Sequence, residues 1–382
     1  MGQSFRIVMI SDMDATGSGY ASITTALGSR LAYLGHDVKI IGLSYTGSEH
    51  PYKFSLFPCL GMNDAFAMLN NMKVMFNPDV VIGLADIPNQ DPVINMAKKL
   101  QIPYICITPM ENGPLCATWA TYLSQADKCY VMSEFAVKEC EKMGVKAEHL
   151  TIGIDTESWK PPTPEERLKL RDSYGIKDEF VILTVADNQE RKNLWGALAS
   201  LEIFKGNYGK PFKYWLVTRE NQFVGYRLRD LASNCGVLKE LTIFERGMPF
   251  KMLWGLFAAA DVFLLTSKAE GLGLPVLEAM GVGLPVVATN TGALVEHLGG
   301  ARGYLVYPEY TFIDTWGNSR RDMIDRVKCA SVLLETAEGA LTPHTEEARK
   351  YVLNRTWEKS VKQLLKGIKD VTNKQSSTVK PG

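Results

Sequence analysis

Residues 261–298 read DVFLLTSKAEGLGLPVLEAMGVGLPVVATNTGALVEHL, and this stretch decides the fold. The apolar run 261–266 leads into polar residues and glycines, a helical segment begins near Leu274, and a second apolar run spans 284–289. Strand-like runs on both sides of a helix predict a βαβ unit with parallel strands. Pro275 is tolerated in the first helical turn because the first amides have no partner inside the helix.

The same alternation extends on both sides of this stretch and occurs twice along the chain. The predicted strands span residues 5–10, 37–43, 79–84, 103–108 and 127–132 in the first half, and 180–186, 213–218, 240–244, 261–266, 284–289 and 303–306 in the second. Between the halves, Trp159 precedes KPPTP, whose prolines interrupt helices and central strands. The capping-box pair Thr163 and Glu166 then predicts a new helix. The chain is therefore predicted to be α/β, with two doubly wound parallel sheets.

The composition fits two globular domains and excludes several functional classes. The chain has 382 residues, 46% hydrophobic and 22% charged, against a usual ~150 residues per domain. Its 42 basic and 42 acidic side chains cancel, which leaves no general attraction for nucleic acid. The seven cysteines are scattered, which indicates apolar core residues rather than a zinc site or a disulfide framework. We find no transmembrane or targeting segment and expect a cytoplasmic protein with at most peripheral membrane contact.

Two carboxylates, Glu270 and Glu278, bracket the predicted helix start. Gly271 and Gly273 let a ligand approach the backbone, and the first-turn amides at the positive end of the helix dipole favour a phosphate. Because carboxylates repel phosphate, we expect them to accept hydrogen bonds from neutral hydroxyls on either side of it, such as those of a sugar and a ribose. The alternative is structural: Glu270 caps the helix, Glu278 is solvated, and the glycines serve only the turn.

The stretch closely resembles the donor-site signature of glycosyltransferase family 4, whose members are retaining enzymes of GT-B fold. Leu272 stands where the family usually has an aromatic residue. The resemblance implies that Glu270 binds hydroxyls of the donor sugar and Glu278 those of the ribose. The donor-binding backbone that it implies comprises Gly271, Leu272, Gly273 and Leu274, with the distal phosphate at the last two.

A basic pair, Arg191 and Lys192, follows the predicted strand 180–186. Two cations at a helix start are unfavourable for the helix dipole unless an anion joins them, which makes both candidates for binding a diphosphate. The family has an arginine shortly after this strand and a lysine about five residues later. Lys192 fits the lysine, whereas Asp187 occupies the arginine position, so Arg191 is the candidate replacement. An ordinary solvated basic pair is the alternative.

The resemblance extends to the first half of the chain. The glycine loop Gly17-Ser18-Gly19 is predicted to approach the donor phosphate or the acceptor, although as a dinucleotide fingerprint it lacks a third glycine. Glu111 matches an acidic residue of a family subgroup and is the candidate base or hydroxyl anchor on the acceptor side; an exposed loop carboxylate is the alternative. The methionine-rich segment 65–76 is expected to pack on the sheet rather than insert into a membrane.

The resemblance also implies a domain arrangement, with two Rossmann-like domains facing an interdomain cleft. Residues 1–160 form the predicted N-terminal acceptor domain, completed by a C-terminal helix at 357–372 that crosses back to it. Residues 163–355 form the predicted nucleotide-sugar donor domain. The polar tail 373–382 is expected to be frayed.

Taken with these features, the resemblance implies a retaining glycosyltransferase that moves a hexosyl group from a nucleotide diphosphate sugar to an acceptor hydroxyl. The predicted catalytic residues are Glu270, Lys192, Arg191 and Glu111. The nucleotide sugar is a co-substrate, and neither a further cofactor nor a metal ion is expected. The acceptor, whether glycan, lipid, protein or small molecule, leaves no recognisable pattern. Two alternatives stay open at this point: a nucleotide-sugar epimerase of GT-B fold, and a non-catalytic nucleotide-sugar binding protein.

Overall fold

The computed structural model describes residues 3–14, 17–222, 224–341 and 344–378. The chain divides into two compact units, one comprising Met1–Gly153 and Thr356–Gly382 and the other Ile154–Arg355. Each unit has a parallel sheet with helices in the connections, which is the arrangement that alternating strands and helices predict.

Unit 1 is built around a seven-stranded parallel sheet in the order β3-β2-β1-β4-β5-β6-β7. The strands are β1 (Arg6–Asp12), β2 (Asp37–Leu43), β3 (Ser55–Cys59), β4 (Val80–Leu84), β5 (Tyr104–Thr108), β6 (Lys128–Val131) and β7 (Ala147–His149). The helices are α1 (Gly19–Tyr33), α2 (Met62–Met75), α3 (Ile87–Lys99), α4 (Ala117–Ser124), α5 (Glu134–Lys142) and, from the chain's C-terminal end, α14 (Trp357–Thr378).

Unit 2 has a six-stranded parallel sheet in the order β10-β9-β8-β11-β12-β13 and a separate hairpin, β14-β15. The strands are β8 (Phe180–Val185), β9 (Phe212–Thr218), β10 (Leu241–Glu245), β11 (Val262–Leu265), β12 (Val286–Thr289), β13 (Tyr304–Val306), β14 (Pro308–Ile313) and β15 (Arg320–Ile324). The helices are α6 (Pro164–Ser173), α7 (Leu194–Tyr208), α8 (Leu228–Asn234), α9 (Phe250–Ala259), α10 (Leu274–Val282), α11 (Gly292–Leu298), α12 (Arg326–Ala337) and α13 (Thr345–Leu353), and a 3₁₀ turn spans Glu190–Lys192.

Burial explains why the apolar runs form central strands. Every residue of β4, β5, β11 and β12 is buried, as expected for parallel strands that are covered by helices on both faces. The predicted capping box is also present: the Thr163 side chain accepts a hydrogen bond from the Glu166 amide, and the Glu166 carboxylate accepts one from the Thr163 amide. Helix α6 therefore begins where the sequence predicts a new helix.

Two details differ from the expectations. In α2, Ala65, Leu69 and Met72 are buried as expected for the segment 65–76, but Met75, at the end of the helix, is 89% exposed. Helix α14 does not end at residue 372 but continues to Thr378, and residues 379–382 lie outside the described part of the chain. The longer helix follows from a run of helix-compatible polar residues with no glycine or proline before Pro381.

The seven cysteines are unpaired, and six of them are buried. This confirms their predicted role as small apolar core residues. Within the described ranges, no helix combines the length and the apolar character that crossing a bilayer requires.

Candidate functional site

The loop between β11 and α10 places Glu270 inside unit 2, where it is only 4% exposed. The Ser267 hydroxyl donates a hydrogen bond to Glu270 Oε1 at 2.7 Å, and the Lys192 ammonium donates another to the same oxygen. Arg191 Nη1 lies 3.5 Å from that oxygen. The structure thus brings together three of the predicted catalytic residues, and the anion that joins the basic pair is the protein's own Glu270.

The surrounding charges keep Glu270 ionised. Burial raises the pKa of this carboxyl, but the charges of Lys192 and Arg191, with hydrogen bonds from Lys192 and Ser267, outweigh burial and lower the pKa to about 2. Glu270 is therefore a carboxylate at neutral pH. It neither caps α10 nor lies at the surface, so the structural alternative is wrong for this residue.

Backbone hydrogen bonds join the Glu270 loop to the Arg191 turn. Arg191 Nη1 donates to the Ala269 carbonyl at 2.7 Å, and the Lys268 amide donates to the Arg191 carbonyl at 2.9 Å. The Thr266 hydroxyl adds a bond to the Asn193 carbonyl at 2.9 Å. These hydrogen bonds hold the two loops together and fix Lys192 and Arg191 relative to the Glu270 carboxylate.

Helix α10 begins in the same loop, directly after Gly273. Gly273 has a φ of +76°, in the left-handed region, and a Cβ atom at this position would lie 2.8 Å from Leu294 Cδ2. His297 Nε2 donates to the Leu272 carbonyl at 2.8 Å, and its Nδ1 accepts from the Tyr351 hydroxyl at 3.0 Å. In the first turn, Pro275 has no N–H group and the Val276 amide donates to the Gly273 carbonyl at 2.9 Å. The anion site at this helix start stays a prediction.

Glu278 lies on the second turn of α10 and is partly buried. Burial raises the pKa of its carboxyl to about 7, and the Arg246 guanidinium acts in the opposite direction. Glu278 is thus close to half-ionised at neutral pH. This differs from the fully solvated carboxylate of the structural alternative, and it leaves the group able to accept or donate a hydrogen bond to a hydroxyl.

A second charged cluster, which sequence reasoning missed, surrounds Asp187. This carboxylate is 7% exposed and accepts hydrogen bonds from Arg219, with Nε at 2.9 Å, and from Gln222 Nε2 at 2.9 Å. Arg246 Nη1 forms an ion pair with it at 3.2 Å. Burial raises the pKa of Asp187, but the bonds and charges of the two arginines lower it below its ordinary value. The available signal was an arginine within two residues of the end of each of two predicted strands, Arg219 after 213–218 and Arg246 after 240–244.

The remaining predicted site residues lie in unit 1. Gly17 has a φ of +85°, and Ser18 caps α1 by accepting a hydrogen bond from the Ala21 amide at 3.0 Å; Gly19 is the first residue of that helix. Glu111 is partly buried in the loop between β5 and α4. The roles assigned to these residues stay predictions. Among the described residues, no group of three or more histidine, cysteine, aspartate or glutamate side chains is arranged as metal ligands.

Solved structures with the same architecture identify the fold class of the two units. A glycosyltransferase from Rickettsia africae superposes with a TM-score of 0.74 at 17% identity, over 97% of this chain and 99% of that one. Anabaena Alr3699/HepE in complex with UDP-glucose gives 0.74 at 15% identity, over 96% and 100%. The two parallel-sheet units are those of a GT-B glycosyltransferase fold, which confirms the predicted fold class.

The family match falls on unit 2. Residues 166–312 match the family model described as glycosyl transferases group 1, which confirms the predicted resemblance over these residues. This range contains Asp187, Lys192, Glu270 and Glu278.

The curated relatives each match part of the chain. The GDP-mannose-dependent alpha-(1-6)-phosphatidylinositol monomannoside mannosyltransferase of Mycolicibacterium smegmatis is 30% identical over 39% of this chain and 40% of its own length. The putative glycosyltransferase EpsD of Bacillus subtilis is 26% identical over 52% of each. The chain thus spans about half or less of the length of these relatives.

Proposed function

We propose that the protein is a retaining glycosyltransferase that moves a hexosyl group from a nucleotide diphosphate sugar to an acceptor hydroxyl. The observation that carries the proposal is the buried carboxylate of Glu270, held by Lys192 and Arg191 beside the first turn of α10. In this proposal, the Glu270 carboxylate binds sugar hydroxyls, and Lys192, Arg191 and the start of α10 bind the diphosphate. Hydrogen bonds hold the loops that carry these residues together.

In the proposed reaction, the bond between the sugar's anomeric carbon and the diphosphate breaks, and a bond to the acceptor oxygen forms. Negative charge develops on the leaving diphosphate, and the helix amides, Lys192 and Arg191 stabilise it because they are positioned before the reaction begins. Since protein cations supply this positive charge, we propose that transfer needs no metal ion. Activity measured with and without EDTA tests this point: a chelator should leave the rate unchanged.

The names of the relatives guide the choice of donor. The Mycolicibacterium smegmatis relative, which is 30% identical over 39% of this chain, is described as GDP-mannose-dependent. Anabaena HepE is described in complex with UDP-glucose, at lower identity. We therefore propose a GDP- or UDP-linked hexose as donor and would test GDP-mannose first.

Unit 1 is proposed to bind the acceptor. Glu111 follows the carboxyl end of β5, and Gly17 and Ser18 lie between β1 and α1, which begins at Gly19. Loops beyond the carboxyl ends of parallel strands are where such sheets bind ligands. We propose Glu111 as the anchor or base for the acceptor hydroxyl. A Glu111→Gln variant should keep donor affinity and lose transfer, while Thr121→Ala, at an exposed position of the following helix α4, should keep both.

The deciding experiment incubates the protein with GDP-mannose, UDP-glucose and related sugar nucleotides, with and without a panel of acceptors. A transferase releases free nucleoside diphosphate only with an acceptor, and NMR of the product should show the donor's anomeric configuration. Isomerised sugar nucleotide would indicate an epimerase instead. Binding without any change in the donor would indicate a non-catalytic binding protein, and an inverted product would contradict retention.

A further inference from the structure

The β14-β15 hairpin of unit 2 buries two charged side chains, although it lies outside the parallel sheet. Arg321 is 2% exposed and Asp322 is 1% exposed. Arg321 Nε donates to Asp314 Oδ2 at 2.7 Å, inside the hairpin. Asp322 also contacts parts of unit 2 outside the hairpin. The family match ends at Phe312, within β14, so Asp322 lies beyond the matched range.

Asp322 connects two segments of the unit. Its amide donates to the Lys268 carbonyl at 2.8 Å, and its Oδ2 accepts from the Thr291 hydroxyl at 2.7 Å. That hydroxyl also lies 3.2 Å from the Lys268 carbonyl. Because a hydroxyl donates one hydrogen at a time and a carboxylate is the stronger acceptor, the bond to Asp322 is favoured. Arg320 Nε forms an ion pair with Asp322 Oδ1 at 3.0 Å.

The two segments hold the backbone of Glu270 from both sides. Lys268 precedes Glu270 by two residues in the same loop. Thr291 is the N-cap residue of α11, and the amide of Ala293, on the first turn of that helix, donates to the Glu270 carbonyl at 2.9 Å. An N-cap threonine usually accepts a bond from an amide of its own helix, but the Thr291 hydroxyl donates to Asp322 instead.

We propose that Asp322 is a positioning residue that sets the place of the Glu270 carboxylate. This rests on the proposed function, in which Glu270 binds hydroxyls of the donor sugar. Lys192 and Ser267 hold the Glu270 side chain, whereas Asp322 joins Lys268 to α11 and so holds its backbone. Without the Asp322 carboxylate, the Thr291 hydroxyl loses its stronger acceptor and this connection weakens. A displacement of about 1 Å at a reacting group lowers a rate by up to about a hundredfold.

The test uses variants of both partners in the full-length protein. Thr291→Val removes the hydroxyl that Asp322 binds, and Thr291→Ser keeps it. Asp322→Ala removes the carboxylate but keeps the backbone amide that donates to Lys268. The matched control is Ser200→Ala, because Ser200 is as fully buried as Thr291 but lies on α7, where its hydroxyl donates to the Gly196 carbonyl at 2.8 Å.

Transfer is measured with GDP-mannose and with UDP-glucose, and binding of GDP and UDP is measured by calorimetry, below the thermal midpoint of each variant. Thr291→Val and Asp322→Ala should lower kcat roughly ten- to a hundred-fold. Their affinity for GDP and UDP should change less than about threefold, because these nucleotides lack the sugar hydroxyls that Glu270 binds. Thr291→Ser should recover most of the activity. A merely structural role would lower the thermal midpoint of Thr291→Val and Ser200→Ala alike and leave kcat unchanged.

A double-variant cycle tests whether the effect passes through Glu270. Thr291→Val should weaken binding of the sugar nucleotide, relative to its nucleoside diphosphate, roughly three- to tenfold. In the Glu270→Gln background the same change should have no further effect, because the carboxylate that Asp322 positions is absent. Equal losses in both backgrounds would show that Thr291 and Asp322 act without Glu270, and this would overturn the inference.

The inference and the proposed function fail in different ways. If Glu270→Gln stops transfer while Thr291→Val and Asp322→Ala turn over like the wild type, the inference fails and the proposed function stands. If Asp322→Ala does not fold, Thr291→Val decides, and wild-type turnover in that variant overturns the inference. If the wild type neither transfers from nor binds either sugar nucleotide, the proposed function fails, and this inference fails with it.

Discussion

Replacing Glu270 with glutamine should destabilise unit 2 and stop transfer without weakening nucleotide binding. The pKa of Glu270 is about 2, against an ordinary value of 4.5. At about 1.4 kcal/mol for each pKa unit, the folded protein favours the ionised form by roughly 3 kcal/mol. Glutamine resembles the protonated acid in shape but lacks its charge, so the variant should lose stability of that order at neutral pH. For a unit of this size, this corresponds to a thermal midpoint lower by roughly 6–12 °C.

The pH dependence gives a sharper test than the midpoint alone. Because the folded pKa of Glu270 lies below the unfolded one, its stabilising contribution is complete above about pH 4.5 and is lost as the pH falls towards 2. The glutamine variant has no such contribution. The stability difference between the two proteins should therefore be constant from about pH 5 upwards and shrink steadily below about pH 4.5.

Urea unfolding monitored by circular dichroism between about pH 3 and 8 measures this difference, and transfer assays with GDP-mannose measure activity. Glu347→Gln is the matched control, since Glu347 pairs with Lys350 on an exposed helix surface. The control should unfold like the wild type. Equal stability of wild type and Glu270→Gln at every pH would refute the electrostatic reasoning. Undiminished transfer in Glu270→Gln would remove Glu270 from the reaction.

Three further predictions concern other residues of unit 2. Lys192→Ala should weaken binding of GDP or UDP roughly ten- to a hundred-fold by calorimetry, with exposed Lys169→Ala as control; an unchanged affinity would remove Lys192 from the site. Gly273→Ala should cost about 1–3 kcal/mol in urea unfolding and raise the donor KM, because its φ of +76° is strained for alanine and its Cβ would meet Leu294; wild-type stability would contradict this. Since the pKa of Glu278 is about 7, its carboxylate forms as the pH rises through that value. The affinity advantage of GDP over its 2′,3′-dideoxy analogue should therefore grow from about pH 6 to 8, and Glu278→Gln should abolish this growth.

The central strands could be predicted from the sequence because full burial on both faces leaves continuous apolar runs. The strands that the sequence did not predict, namely β3, β7, β14 and β15, lack such continuous apolar runs. Strand β3 contains Pro58, which an edge strand tolerates, and it lies at the edge of its sheet. Strand β7 has three residues, too few for a pattern. The β14-β15 hairpin pairs an exposed strand with one that buries the charged Arg321, so neither strand alternates simply between polar and apolar residues.

The candidate site was predictable to the extent that it is local in sequence. Glu270, Gly273 and the start of α10 lie in one short motif whose spacing already indicates an anion site. The pairing of Lys192 with Glu270 was not predicted, because it joins loops that follow β8 and β11, and only the sheet order makes them neighbours. The raised pKa of Glu278 depends on burial by the whole unit and has no sequence signal.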